Sequence, residues 1–176
     1  RSDAIFLAEA HRATAAGDVA RLAVAIELAA AFQPSKERRL EATAQGAAFV
    51  RAIADTWSVP AFEAVVTALA ARFAEAGATV PWTFATAVGV AAAAHRLDAG
   101  DVVPAFLQSF AAMVISAGVR AVPLGQSDGL RVLRSLTPLV RRVASAALEA
   151  DLDAVGGAAI LADVASMKHE TQYTRL

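Results

Sequence analysis

Val102-Val-Pro-Ala-Phe-Leu-Gln-Ser-Phe-Ala-Ala-Met-Val-Ile-Ser-Ala-Gly-Val119 runs for 18 residues without a charge. Such a run is at the lower limit for a membrane span and equally suits a helix buried in protein on all sides. Pro104, Gln108, Ser109, Ser116 and Gly118 interrupt it. The reading adopted is therefore a central helix of a soluble all-α domain, with small side chains that let neighbouring helices approach closely, and no membrane span.

The surroundings agree with an all-helical chain. The 176 residues are close to the size of one domain, and 47 of them are alanine, the best helix former. No segment alternates apolar and polar residues as a half-buried strand would. Hydrophobic residues make up 57%, which excludes intrinsic disorder. Capping residues divide the chain into seven or eight helices. Ser2 or Asp3 opens the first, which stops at Gly17, and Asp18 opens the second. Ser35 opens the third, with a seam of Leu40, Thr43, Ala47, Val50 and Ala54 and with Arg38, Glu41 and Gln45 on the other side. Pro60 opens a fourth that ends at Gly77. A fifth follows Pro81 and ends near His95-Arg96, and Asp101 caps the sixth, the central one. The loop from Pro123 to Gly129 leads to a seventh helix over about Ser127–Glu149, and a last short one covers about Ala158–Met167. The expected division is one helical domain over 1–165 and a polar tail over 166–176 for partner docking.

Little in the chain can carry catalysis. There is no cysteine, so thiol chemistry, disulfides and Cys-ligated metals are excluded, which fits a reducing cytoplasm. His11, His95 and His169 are far apart, and there is no His-x-x-x-His or Glu-x-x-His pair on one helix face, so no metal site is predicted; His169 at a subunit interface is the one place left for nickel or zinc. Gly125-Gln-Ser-Asp-Gly129 lacks the Lys-Ser/Thr ending of a phosphate-binding loop and reads as a turn with Ser127 or Asp128 as cap. There is no nucleophile elbow.

Charge is more telling. Between Arg120 and Arg142 stand Arg120, Arg131, Arg134, Arg141 and Arg142 with one acid, Asp128. On the seventh helix Leu133, Leu136, Val140, Val143 and Ala147 form an apolar seam, and the arginines fall largely outside it. This is either a solvated face or a protein-docking face, for which arginine is favoured. A net charge of −1 and the lack of interleaved aromatics speak against nucleic acid.

Three motifs carry a resemblance. Arg120-Ala-Val-Pro-Leu-Gly-Gln-Ser-Asp-Gly129 resembles the Arg-x-x-Pro-Leu-Gly-Gln-x-x-Gly segment of the UreF family of urease accessory proteins. Ser166-Met-Lys-His-Glu-Thr-Gln-Tyr-Thr-Arg-Leu176 is similar to that family's closing Ser-Met-x-His-Glu-x-Gln-Tyr-x-Arg-Leu, and Glu41 to Gly46 to its central Glu-x-x-x-x-Gly helix. The aromatic, Gly/Ser-rich opening of the family and its continuation past Arg-Leu are missing here, so both ends are expected to be trimmed.

The resemblance implies an all-helical, cytoplasmic homodimer that is not an enzyme and assists nickel insertion into apo-urease. It would bridge a UreD/UreH-type accessory protein and the GTPase UreG and modulate that GTPase. Nickel and GTP would act through the partners, with no cofactor bound directly. The residues expected at partner or dimer interfaces are Arg120, Gln126, Asp128, Arg131, Arg134, His169, Glu170, Tyr173 and Arg175. An all-helical small-molecule-binding regulatory domain is the alternative. It would need an apolar pocket and leaves the end motifs unexplained.

Overall fold

A computed structural model describes residues 1–157 and 159–169. Among the described residues there are eight α-helices and no strand: α1 (Ser2–Ala15), α2 (Val19–Ala31), α3 (Lys36–Thr56), α4 (Pro60–Glu75), α5 (Phe84–Ala94), α6 (Ala99–Ala121), α7 (Gln126–Glu149) and α8 (Ile160–His169). One 3₁₀ turn, Leu152–Ala154, follows α7. The all-α single domain expected from the alanine content is what forms.

Local chemistry sets most of the boundaries. The side chains of Asp18, Ser35 and Thr83 accept from the backbone N–H groups of Arg21, Arg38 and Thr86. Each satisfies one of the orphan donors of a helix start. Gly17 and Gly77 take φ of +68°, the left-handed turn that ends α1 and α4 at low steric cost. Two expected caps differ. Helix α1 has Arg1 at its N-cap and no side-chain cap, while Ser2 Oγ donates to the Gly156 carbonyl at 2.7 Å. Helix α6 is capped by Asp98, not Asp101, through the Gly100 N–H at 2.6 Å.

A central helix exists, but it is α5 and not α6. Ala85, Thr86, Ala87, Gly89, Val90, Ala91 and Ala92 are buried within an eleven-residue helix. It lies against α1, which is buried continuously from Ala4 to Ala10. A Cβ on Gly89 would stand 2.4 Å from the Leu7 carbonyl oxygen, so the two backbones approach as only glycine allows. Helix α6 is longer and equally free of charge at its middle, yet Val103 is its one buried residue. The reason is side-chain size. Alanine, glycine and threonine let α5 fit between its neighbours, whereas the phenylalanines and methionine of α6 need more room.

The α1–α5 pair has a core on each side. One holds Leu22, Ile26, Val50, Phe62, Leu69, Phe73 and Trp82 from α2, α3, α4 and the turn before α5. The other holds Ile5 and Leu7 with Val103, Ala144 and Ala147 from α6 and α7. Helix α3 meets the first core through Gly46 and Val50, with Phe49 and Ile53 beside them. Leu40, placed in that seam from sequence, is 70% exposed. A Cβ on Gly46 would stand 2.2 Å from the Trp82 carbonyl oxygen, so this glycine lets α3 cross the chain entering α5.

One buried carboxylate ties the second core together. Glu9 is 3% exposed and accepts from Arg12 and Arg21. Arg12 also donates to the carbonyls of Leu148 and Ala150, at 2.8 and 2.7 Å, which satisfies the last turn of α7. Burial pushes the Glu9 pKa up, but the hydrogen bonds from Arg21 and Arg12 outweigh it and the net shift is downward from 4.5. Because its folded-state pKa is depressed, the stability Glu9 carries is present above pH 4.5 and is lost as pH falls through the lower folded value.

Three substitutions check this account. Gly46→Ala should lower urea-denaturation stability by about 1–3 kcal/mol through overpacking. Gly118→Ala, whose Cβ meets nothing within 4 Å, should be neutral or stabilising by up to about 1 kcal/mol. Glu9→Gln should cost about 1–3 kcal/mol at pH 7 by removing the charged acceptor that Arg12 and Arg21 share, two cations that keep part of their contact with water. It should also flatten the fall in stability between pH 4.5 and lower pH that the wild type shows.

Candidate protein-docking face

The loop 122–125 joins α6 to α7 and folds them into an antiparallel hairpin. Its root is buried: Val103 near the start of α6 and Ala144 and Ala147 near the end of α7 pack on α1. Away from the root the hairpin packs mainly on itself. Gly129 is buried there because it faces α6, where a Cβ would stand 3.0 Å from Val119 Cγ2 and 3.2 Å from Ile115 Cγ2, and the seam Leu133, Leu136 and Val140 is half-buried. The outer half therefore stands away from the two cores.

That projecting half is both apolar and basic. Phe110, Met113 and Val114 on α6 are between 49% and 59% exposed. Val122 and Leu124 in the loop and Leu130 and Val132 on α7 are exposed as well. The spacing 110, 113, 114 puts the α6 side chains on one face. Large apolar side chains gathered at the end of a projecting hairpin are the sort of surface that proteins use for association. The charge-free run from Val102 to Val119 is thus explained by exposure at a face and not by burial in the core. Helix α6 is the one described helix long and apolar enough to cross a membrane, by length and composition alone.

Arg120 ends α6 and donates from Nη1 to Ser116 Oγ at 2.9 Å, a cation at the negative end of the helix dipole. Gly125 is the N-cap of α7. Asp128 caps this start, its Oδ2 accepting from the Gly125 N–H at 3.2 Å, and its other oxygen pairs with Arg131. The Gly125–Gly129 turn is thus a helix start built by its own Asp128, as the capping reading expected. Gln126, Arg131 and Arg134 are exposed beside it. The structure gathers Arg120, Gln126, Asp128, Arg131 and Arg134 around the hairpin tip. Glu170, Tyr173 and Arg175, and the side chain of His169, lie outside the described residues. Helix α8, which precedes them, rests on α3, where Ser166 Oγ and Ser35 Oγ share a hydrogen bond of 2.8 Å. Among the described residues no group of three or more His, Asp and Glu side chains is placed to hold a metal ion.

The UreF family profile matches residues 1–137. A urease accessory protein UreF of Bradyrhizobium sp. (strain BTAi1 / ATCC BAA-1182) is 45% identical over 174 residues, which cover 99% of this chain and 68% of the relative. That of Rhodopseudomonas palustris (strain HaA2) is 45% identical over 99% of this chain and 70% of its own length. That of Methylobacterium sp. (strain 4-46) is 40% identical over the whole chain and 67% of its own length. The chain belongs to the UreF family. Its membership rests on nearly the whole length, not on the end motifs alone.

Sequence reasoning missed two features of this UreF-family chain. The exposed face of α6 is written in the spacing of Phe110, Met113 and Val114, but absence of charge alone points equally to burial. The tether of the hairpin root was readable in part, since Glu9 and Arg12 are three apart on one helix. Their link to α7 spans more than 130 residues and has no local signal.

The contrast between tip and root can be measured. Met113→Gln and Leu130→Gln should leave the urea-unfolding free energy within about 0.5 kcal/mol of wild type, as exposed substitutions do. Val103→Ala at the root should cost about 1–3 kcal/mol. Equal losses at tip and root would mean that the tip packs into the body of the domain.

Proposed function

We propose that this chain is a non-catalytic scaffold of urease maturation that works by holding partner proteins together while nickel is inserted into apo-urease. Family membership supports the accessory role. The observation that carries the scaffold reading is the projecting α6–α7 hairpin, whose tip combines exposed Met113, Leu124 and Leu130 with Arg120, Arg131 and Arg134. Aromatic, methionine and arginine side chains around an apolar centre are the composition of protein interfaces.

Within that reading the tip is the homodimer contact. The segment 166–176, with His169, Glu170, Tyr173 and Arg175, docks on a UreD/UreH-type accessory protein. The dimer then presents a composite surface to the GTPase UreG and influences hydrolysis by positioning its switch elements or by supplying an arginine. Nickel and GTP are handled by the partners, in the cytoplasm. A small-molecule regulator of similar helical build would not account for a match at 45% identity to relatives named as urease accessory proteins.

The test combines self-association and partner capture with the full chain. Light scattering at micromolar concentration should give a dimer for the wild type. Leu130→Asp should weaken it at least about thirtyfold, the scale of a loss of 2 kcal/mol at an interface hot spot. Co-purification of the UreD-type protein should survive Leu130→Ala and fail with Tyr173→Ala combined with Arg175→Ala. A monomeric wild type, or full partner capture by the double variant, refutes the corresponding half of the reading.

A further inference from the structure

Three helices of this chain end in the same two-bond stop. In α1 the N–H groups of Gly17 and Asp18 donate to the carbonyls of Thr14 and Ala13, and in α4 those of Gly77 and Ala78 donate to Ala74 and Phe73. In α5 those of Arg96 and Leu97 donate to Ala93 and Ala92. The pivot takes a left-handed φ each time, +68° at Gly17 and Gly77 and +59° at Arg96. Glycine does this at low cost, whereas a side chain is strained there. Arg96 is the one non-glycine residue with positive φ among the described residues. Its turn is held in place from α1, where His11 Nε2 donates to the Leu97 carbonyl at 2.8 Å.

An arginine kept where the backbone suits glycine points to a use for its side chain. Arg96 is exposed and has no ion pair among the described residues. It lines a concavity of about 620 Å³, the size of a small-ligand site, where the ends of α1 and α5 meet the first turns of α4 and α6. Thr14, Val65, Leu97 and Asp98 line it as well. Asp98 is the one acid there, and its Oδ1 is taken by the Gly100 N–H. Thr14 Oγ1 is buried without a hydrogen-bond partner, and so is Nε2 of His95, the residue before Arg96. Among the described residues no other buried side-chain polar atom is unmatched. The strained arginine and both unmatched atoms therefore fall at one end of the α1–α5 pair.

We propose that this concavity binds a carboxylate, with Arg96 as the cation that pairs with it, Thr14 as a second donor, and the apolar part of the ligand against Val65 and Leu97. The guanidinium fork matches the two oxygens of a carboxylate. The Thr14 hydroxyl has a second staggered position open to it in a helix, and an acceptor there would relieve the cost of its unmet bond. Asp98 favours a single negative charge over the two of a phosphate monoester, since the second would be repelled. The site is at the start of α6, a helix of 23 residues and so about 35 Å long, and is remote from the hairpin tip at its other end.

The backbone amide signals of Thr14, Arg96 and Leu97 in a ¹H–¹⁵N spectrum report on the site, with that of Leu130 at the tip as control. N-acetyl-glutamate methylamide should shift the first three saturably and leave Leu130 in place. The neutral isostere N-acetyl-glutamine methylamide should bind at least about tenfold more weakly. Arg96→Gly should abolish glutamate binding while the urea midpoint stays or rises, because glycine relieves the turn. Arg96→Gln, which keeps the strained turn, should abolish binding too. Thr14→Val should weaken it about fivefold with an unchanged circular dichroism spectrum. Tighter binding of butyrate than of the capped glutamate would identify the ligand as a free carboxylic acid, and the reverse as an acidic side chain of a partner protein; either result upholds the carboxylate site. Equal binding of the glutamate and glutamine forms, or no saturable shift, overturns the proposal. So does a fall in the urea midpoint with Arg96→Gly, because the arginine would then serve the fold and not a ligand.

Discussion

The close crossing of α1 and α5 is the constraint on which the rest depends. At Gly89 the helix axes come together until a methyl group would collide with the Leu7 carbonyl oxygen. That approach makes a thin, stiff wall of two helices, each buried along most of its length. Helices α2, α3, α4, α6 and α7 then have a surface to pack on. Alanine supplies this geometry where leucine would not: it is a strong helix former and adds little thickness. The alanine excess is therefore a packing instruction as well as a helix signal.

Once the wall is in place, the two sides have different tasks. The side lined by α2, α3 and α4 closes over large residues such as Phe62, Leu69 and Phe73, and forms an ordinary core. The other side receives only the root of the α6–α7 hairpin. It is fixed there by Val103, Ala144 and Ala147 and by Arg12, which links the buried Glu9 to the last carbonyls of α7. A polar tether suits this position. Hydrogen bonds to two specific carbonyls fix the angle at which the hairpin leaves the body, whereas apolar contacts alone would allow it to slide. The apolar tip can then be exposed without loosening the fold.

Helix number, most boundaries and the all-α class were legible because caps and left-handed glycines act locally. Asp18, Ser35 and Gly77 do in the structure what their residue types indicate. The tip residues Arg120, Gln126, Asp128, Arg131 and Arg134 were legible as a cluster because one loop brings them together. What could not be read were the relations between distant segments: Gly46 against Trp82, Gly89 against Leu7, and Arg12 against Leu148. Each is a single side chain or a missing one, with nothing nearby in sequence to mark it. The cap of α6 was misplaced by three residues because Asp98 and Asp101 both stand at the turn, and sequence does not say which carboxylate meets the free N–H.

The misplacement of α6 is instructive about function. A helix sealed inside a domain and a helix face sealed by another protein obey the same rule, since neither tolerates an unpaired charge. Their sequences therefore look alike. Size distinguishes them. The buried α5 has alanine, glycine and threonine where it meets its neighbours, because space inside is fixed by backbones that are already close. The outer part of α6 has Phe110, Met113 and Val114, side chains that project and can adapt to a surface brought up from outside. In an alanine-rich helical protein, a charge-free helix that keeps its large residues is thus better read as a face held open for association than as the core.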